Sequence, residues 1–241
     1  MDFANSYEDK VRAEAYSKLE FPGTYYLAYR DLPEIFAAHA KGIRALDFGC
    51  GTGRSARFLK KHGFNPTGID ISPDMISKAK EFDPSGEYIC IEDGDFNRFE
   101  ENPFDLITSI FTFDNIPGFE RKVRLFSGLR KLLKPDGVLI SLVSSPEIYT
   151  HEWASFSTKD FPENKSARSG DKVRIIQTDI EDKRPVEDIL WTDESYREVY
   201  TAAGLTLVKT YKPMGKVEEP FKWVNETRVP SWVIYALKPA S

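Results

Sequence analysis

Cysteine and histidine are scarce in this 241-residue chain, which has two of the first and three of the second. Cys50 and Cys90 form no C-x-x-C pair, which argues against a zinc ribbon or a disulfide-stapled scaffold and predicts free thiols in a reducing compartment. No apolar run approaches the roughly 20 residues that a membrane span needs. The opening stretch MDFANSYEDKVRAEAYSKLE mixes acids with bases and has no apolar stretch of the signal-peptide kind, so the expected address is cytoplasmic, with no membrane partner. A basic excess is also missing. The net charge is -5 and the pI is near 5.4, so nucleic acid is not an expected partner. Repeats and low-complexity tracts are absent. What is there is an ordinary globular balance, 41% hydrophobic and 29% charged residues, in a length that suits one domain, 1–241, better than two.

From residue 42 to 143 short β-rich runs alternate with helix-like segments. IRALDF, NPTGIDI, EYICIED, FDLITSIF and GVLISLV read as strands. Helices are predicted over 55–62, after Ser72 with Pro73 in the first helical position, and over about 120–133. Five strands with crossovers of this length predict a doubly wound, mostly parallel α/β sheet with helices on both faces. After Ser144 the chain turns polar and irregular. The runs VRIIQTDI and PVEDILW then suggest a hairpin beside the main sheet, so that 144–190 reads as a β-rich insertion. In 191–241 the helix DESYREVYTAAG, with Gly204 as its C-cap, precedes two last strands, LTLVKTY and SWVIYAL. The connection between those strands leaves little room for a crossover helix, which predicts an antiparallel return and a seven-stranded sheet with a reversed last strand. Residues 1–40 form a helical cover carrying tyrosines at 16, 25, 26 and 29. These either fill the core or form a lid.

The first strand runs into RALDFGCGTGR, with glycines at 49, 51 and 53. Strand, glycines and helix together expose backbone N–H groups and a positive helix end to a ligand. A P-loop is excluded because Arg54 follows Gly53 where lysine is required. A dinucleotide loop is not excluded by the loop alone, since Gly51, Gly53 and Ala56 satisfy G-x-G-x-x-A and Asp70 closes the second strand. Three features argue against it. Asp47 would repel a pyrophosphate and hold a cation; Asp95 and Phe96 offer an acid and a ring to a base; and the last strand pair suits a reversed seventh strand.

With these pieces the chain resembles the class I S-adenosylmethionine-dependent methyltransferases. LDFGCGTG matches the cofactor loop, GIDIS and PDMISKAK the segment that follows the second strand, and GDF the third. FDLITSIFTFDNI matches the fourth strand and its active-site edge, LLKPDGVLI the fifth, and WTDESYREVYTAAGL the helix before the sixth. The likeness is strong over 42–143 and moderate over 190–237. It implies S-adenosyl-L-methionine as cofactor and S-adenosyl-L-homocysteine as product. It further implies that Gly49, Cys50, Gly51 and Gly53 admit the ligand, Asp47 orients its amino end, and Asp70 accepts from the ribose hydroxyls. Ile71 and Met75 flank the adenine, Asp95 and Phe96 meet its edge and face, and Ile110 and Phe111 border the reacting end.

For the acceptor, the ends of the fourth and fifth strands supply Asp114, Asn115, Tyr149, His151 and Trp153, and the cover supplies Tyr25. Open α/β sheets bind ligands at such ends. His151 is the candidate general base because its ordinary pKa lies near neutrality; the bland alternative is a structural loop histidine. FTFDNIPG stands where adenine- and cytosine-directed amino-methyltransferases carry an Asn/Asp/Ser-Pro-Pro-aromatic tetrapeptide. The three-carboxylate set of catechol-type methyltransferases is also missing, so no metal is expected. The resulting expectation is a monomeric or homodimeric enzyme methylating an oxygen or nitrogen atom of a small molecule. The alternatives are a methyltransferase acting on protein or RNA and a non-catalytic S-adenosylmethionine-binding protein.

Overall fold

The computed structural model describes residues 23–99 and 101–240. The predicted helix near the N-terminus, with Tyr16, lies outside the described residues. The cover begins with two short helices, α1 (Thr24–Arg30) and α2 (Leu32–His39). The alternating half follows as β1 (Arg44–Phe48), α3 (Arg54–Lys61), β2 (Asn65–Asp70), α4 (Pro73–Phe82), β3 (Glu87–Cys90), β4 (Phe104–Ile110), α5 (Phe119–Lys131) and β5 (Leu133–Ser144). The chain then builds β6 (Phe156–Ser157), β7 (Lys172–Gln177) and β8 (Val186–Ile189), and closes with α6 (Asp193–Ala202), β9 (Leu205–Tyr211) and β10 (Trp232–Pro239).

Seven strands form one sheet in the order β3-β2-β1-β4-β5-β10-β9. β1 pairs parallel with β2 and β4, and β10 runs antiparallel between β5 and β9. The last strand is thus the reversed one, as its short, helix-free approach predicts. The insertion hairpin also forms, but apart from the main sheet: β7 lies between β6 and β8 in a separate three-stranded antiparallel sheet.

Both faces of the main sheet are buried, which explains its nearly unbroken apolar runs. Along β10, Val233, Tyr235 and Leu237 face a cluster with Phe126 and Leu129 of α5 and Val199 of α6. The alternate residues Trp232, Ile234 and Ala236 face a second cluster with Leu27, Phe36 and Leu59 on α1, α2 and α3. Strand period two therefore decides which helix layer each side chain meets.

Helix starts follow local chemistry. Ser72 Oγ accepts from the Met75 N–H at 3.3 Å and caps α4, with Pro73 next. Thr192 Oγ1 accepts from the Ser195 N–H and caps α6. β5 begins four residues earlier than its apolar run GVLISLV, because Leu133 pairs with Phe104 before a register shift. No helix among the described residues is long and apolar enough to cross a membrane.

Candidate functional site

Parallel strands of an open sheet point their C-terminal ends the same way, and here the loops after β1, β2, β3 and β4 surround an open cleft of about 850 Å³. After β1 the chain must turn sharply beneath the cleft. Gly49 takes φ +70° and lies so close to Thr112 that a Cβ there would run into the Thr112 side chain. Gly51, at φ +53°, faces open space and lines the cleft. Both conformations favour glycine.

Asp70 closes β2 and lines the same cleft. Its two carboxylate oxygens accept from the Gly51 and Ser72 N–H groups, each at 2.9 Å. Burial raises its pKa, opposed by those backbone bonds. Ile71, Met75 and Ile91 supply an apolar wall. Ile110 and Phe111 border the cleft at the end of β4, with Thr112 and Ile116 beyond them.

Five residues expected at this cleft lie elsewhere. Asp47 is completely buried under the loop, where it accepts from Ser55 Oγ at 2.5 Å and Thr108 Oγ1 at 2.9 Å. It ties β1 to α3 and β4 rather than lining the cleft, and burial pushes its carboxyl up to about 6. Cys50 is also buried, in a small cluster with Ala56, Ile76 and Tyr88. Gly53 caps α3 against the Tyr88 ring. At the end of β3, Gly94 at φ +78° turns the chain, so Asp95 points to solvent and Phe96 packs inward on Phe48 and over Gly128. Asp93, two residues before the expected acid, lines the cleft instead, paired with Arg121 at 3.1 Å. The acidic run EDGD was visible in the sequence; which acid faces inward depended on that turn.

A second cavity, of about 450 Å³, adjoins the first, and Phe111 and Asn115 line both. Phe111 is the one non-glycine among the described residues with positive φ, +64°. Such a conformation costs about 1–3 kcal/mol and persists where surrounding structure enforces it. Here the Phe111 N–H donates to Leu142 at 2.9 Å, and its ring packs 4.8 Å from Trp232 and 5.8 Å from Tyr25. Phe156 completes the aromatic wall, 5.2 Å from Tyr25 and 5.8 Å from Trp232.

The polar lining of this cavity is acidic. Asp114 accepts from the Ser144 N–H at 3.0 Å, and Asp188 accepts from the Tyr149 hydroxyl at 3.0 Å. Burial pushes the Asp114 carboxyl up, while Ser144 and the Lys122 ammonium pull it down. Lys122 stands behind the cavity, not in its lining: it donates to the Phe113 carbonyl, and its Nζ lies 5.0 and 5.2 Å from the Trp191 and Tyr196 ring centres. Gln177 ends β7 on the inward face shared with Val173 and Ile175, and its Nε2 has no hydrogen-bond partner. Neither Gln177 nor Trp232 was singled out from sequence. A polar residue in the inward period of VRIIQ was a usable signal for the first; nothing local marked the second.

Tyr25, Asp114, Asn115 and Tyr149 thus meet in one cavity. His151 and Trp153 do not. The His151 ring sits against the Glu147 carbonyl at 3.1 Å and Thr150 Oγ1 at 3.0 Å, and lines neither cavity. Trp153 donates from Nε1 to the Ile148 carbonyl at 2.9 Å and packs within the insertion. The one-turn helix at Pro146–Tyr149 turns both away from the cavity while leaving Tyr149 in it. Among the described residues no group of His, Cys, Asp or Glu is arranged to hold a metal ion.

A family model described as a methyltransferase domain matches residues 22–210. The chain is 34% identical over 102 residues to a 2-methyl-6-phytyl-1,4-hydroquinone methyltransferase of Synechocystis, covering 41% of this chain and 31% of that protein. It is 34% identical over 110 residues to a demethylmenaquinone methyltransferase of Staphylococcus aureus, covering 44% of each. The chain therefore spans less than half the length of these curated relatives. A solved S-adenosylmethionine-dependent methyltransferase from Clostridium acetobutylicum has the same fold, with a TM-score of 0.63 at 16% identity over 98% of this chain and 96% of that one.

Proposed function

Because the chain belongs to the methyltransferase-domain family, with S-adenosylmethionine as its methyl donor, we propose that it methylates an oxygen or nitrogen atom of a small molecule held in the second cavity. The observation that carries this reading is the shared wall at Phe111 and Asn115: an open cleft suited to the donor meets a smaller, ring-lined cavity suited to a compact acceptor. Tyr25, Phe156 and Trp232 line this space with the chain's own aromatics, against which a small acceptor can pack. The hydroquinone and the quinone in the names of two relatives support a small-molecule acceptor over a polymer.

The first cleft fits the donor in its chemistry. Gly51 leaves open space where any other residue would add a Cβ, Asp70 offers carboxylate oxygens to hydroxyl groups, and Ile71, Met75 and Ile91 form a slot for an aromatic base. Asp93 adds a second acid at its edge. When bound, the donor supplies an electrophilic methyl on a sulfonium that departs as a neutral thioether. The protein's own part is to align an acceptor lone pair and keep water out, effects worth up to about 7–11 kcal/mol. Where the acceptor carries a proton, Asp114 replaces His151 as the candidate to receive it, since its carboxylate lines the cavity.

Incubation with methyl-labelled S-adenosylmethionine and fractionated cell extract tests the assignment. Label is expected in the small-molecule fraction; label confined to protein or RNA would overturn it. A thermal shift with S-adenosylhomocysteine checks donor binding separately, with about 2.7 kcal/mol of stabilisation expected at 100 times the dissociation constant.

A further inference from the structure

The chemistry of the second cavity narrows the acceptor further. Resting on the small-molecule reading above, we infer that the acceptor is an amine bearing a nearby oxygen that accepts a hydrogen bond, and that the methyl goes to nitrogen. Three independent features of the lining lead there.

First, among the described residues the lining contains two carboxylates, Asp114 and Asp188, and no lysine, arginine or histidine. An anionic acceptor, whether carboxylate, phosphate or phenolate, would be desolvated there beside like charge. Two cations stand near the cavity without lining it: Lys122 is turned toward the Phe113 carbonyl and the Trp191 and Tyr196 rings, and the Arg54 guanidinium lies over the Tyr25 and Tyr29 rings, 5.2 and 5.4 Å from their centres. Second, five aromatic rings, those of Tyr25, Phe111, Tyr149, Phe156 and Trp232, wall the same space. Ring faces attract an ammonium or its substituents and give a neutral phenol only packing. Third, Gln177 is 2% exposed and its Nε2 is unpartnered, although β7 aims it into the cavity with the period of Val173 and Ile175. A buried amide donor without a partner is costly, and a ligand oxygen beside the amine would satisfy it.

A protonated amine cannot accept a methyl group until it releases a proton. Asp114 takes that proton, leaving the N–H electron pair on nitrogen. The lone pair then forms the N–C bond while the donor's S–C bond breaks with its electrons on sulfur, giving a methylated ammonium and a neutral thioether. Asp114 returns the proton to solvent when product leaves.

Calorimetry on the protein loaded with S-adenosylhomocysteine tests the inference without turnover. The probes are phenylethanolamine, the phenylethylene glycol that replaces its amine with hydroxyl, and mandelate, which replaces it with a carboxylate. Phenylethanolamine is expected to bind about tenfold or more tighter than the glycol, with mandelate weakest. Gln177→Leu should weaken phenylethanolamine about tenfold and leave S-adenosylhomocysteine affinity unchanged, which also reports that the variant is folded. Glycol or mandelate binding as tightly as the amine, or a Gln177→Leu variant that binds phenylethanolamine as well as the parent, would overturn the inference. Locating the label in the extract experiment separates the two readings. Methyl on nitrogen supports both, methyl on oxygen of a small molecule overturns only the amine assignment, and methyl on carbon overturns the amine assignment together with the oxygen-or-nitrogen reading. Label confined to protein or RNA overturns both.

Discussion

The two cavities share Phe111 and Asn115 but are assembled in different ways. The first draws its lining from 48 to 121, from strand ends and turns that follow each other along the chain. The second takes Tyr25 from the cover, Asp114 from the end of β4, Tyr149 and Gln177 from the insertion, and Trp232 from the last strand. Its geometry depends on long-range ties. Thr24 Oγ1 donates to Glu226 at 2.7 Å across 202 positions, and Trp232 Nε1 donates to the Thr24 carbonyl across 208. Glu226 is completely buried and also accepts from the Ala154 and Val224 N–H groups, at 2.7 and 2.8 Å. One carboxylate therefore holds the cover, the insertion and the β9–β10 connection together. A donor site can be encoded locally, whereas an acceptor site of this kind exists only once the ends of the chain have met.

That contrast predicts that changes in one cavity spare the other. Asp114→Asn should have the largest effect, lowering the rate of methyl transfer by about 100-fold or more, as loss of a positioned proton acceptor does, with S-adenosylhomocysteine affinity unchanged. Steady-state kinetics with parallel calorimetry read both. The parent enzyme should also lose activity on acidification. Burial raises the Asp114 pKa, so the carboxylate that takes the proton disappears as pH falls through a value above the ordinary carboxylate range. This limb should be missing from the Asp114→Asn profile.

Glu226→Ala should come next, costing about 3 kcal/mol in chemical denaturation because several buried donors lose their acceptor together. Acceptor binding should fall more than donor binding; an equal loss of both would break the proposed separation. Asp70→Ala should weaken S-adenosylhomocysteine by about 1.5–3 kcal/mol, the scale of hydrogen bonds to a charged group, and leave probe binding in the second cavity intact. The smallest effect belongs to His151→Gln, whose rate and pH profile should match the parent because the ring faces neither cavity. A lost pH limb in that variant would return His151 to the reaction and remove Asp114.

The same division runs through what could be read from sequence. GIDIS placed Asp70 where the structure has it, because a strand of period two followed by a capped helix leaves one way for that acid to point. Asp47 stood in the glycine-loop motif LDFGCGTG, yet its carboxylate turned under the loop to Ser55 and Thr108. A side chain's direction at a strand end depends on the neighbouring strand, and β4 arrives 61 residues later. EDGDF shifted by two residues for a related reason: Gly94 reversed the chain and the core claimed Phe96. In the insertion, HEW looked chemically promising by composition, but its backbone turn sent the histidine and tryptophan away from the cavity.

The succession of strands and helices along the chain, the glycine turn after β1 and the reversed last strand were determined by sequence alone, because periodicity, turn chemistry and connection length act over a few residues. Which acids face a ligand, and that Gln177 and Trp232 share a cavity with Tyr25, was decided by tertiary structure. Those facts rest on contacts between segments up to 208 positions apart, and no local pattern records which distant side chain fills the space opposite.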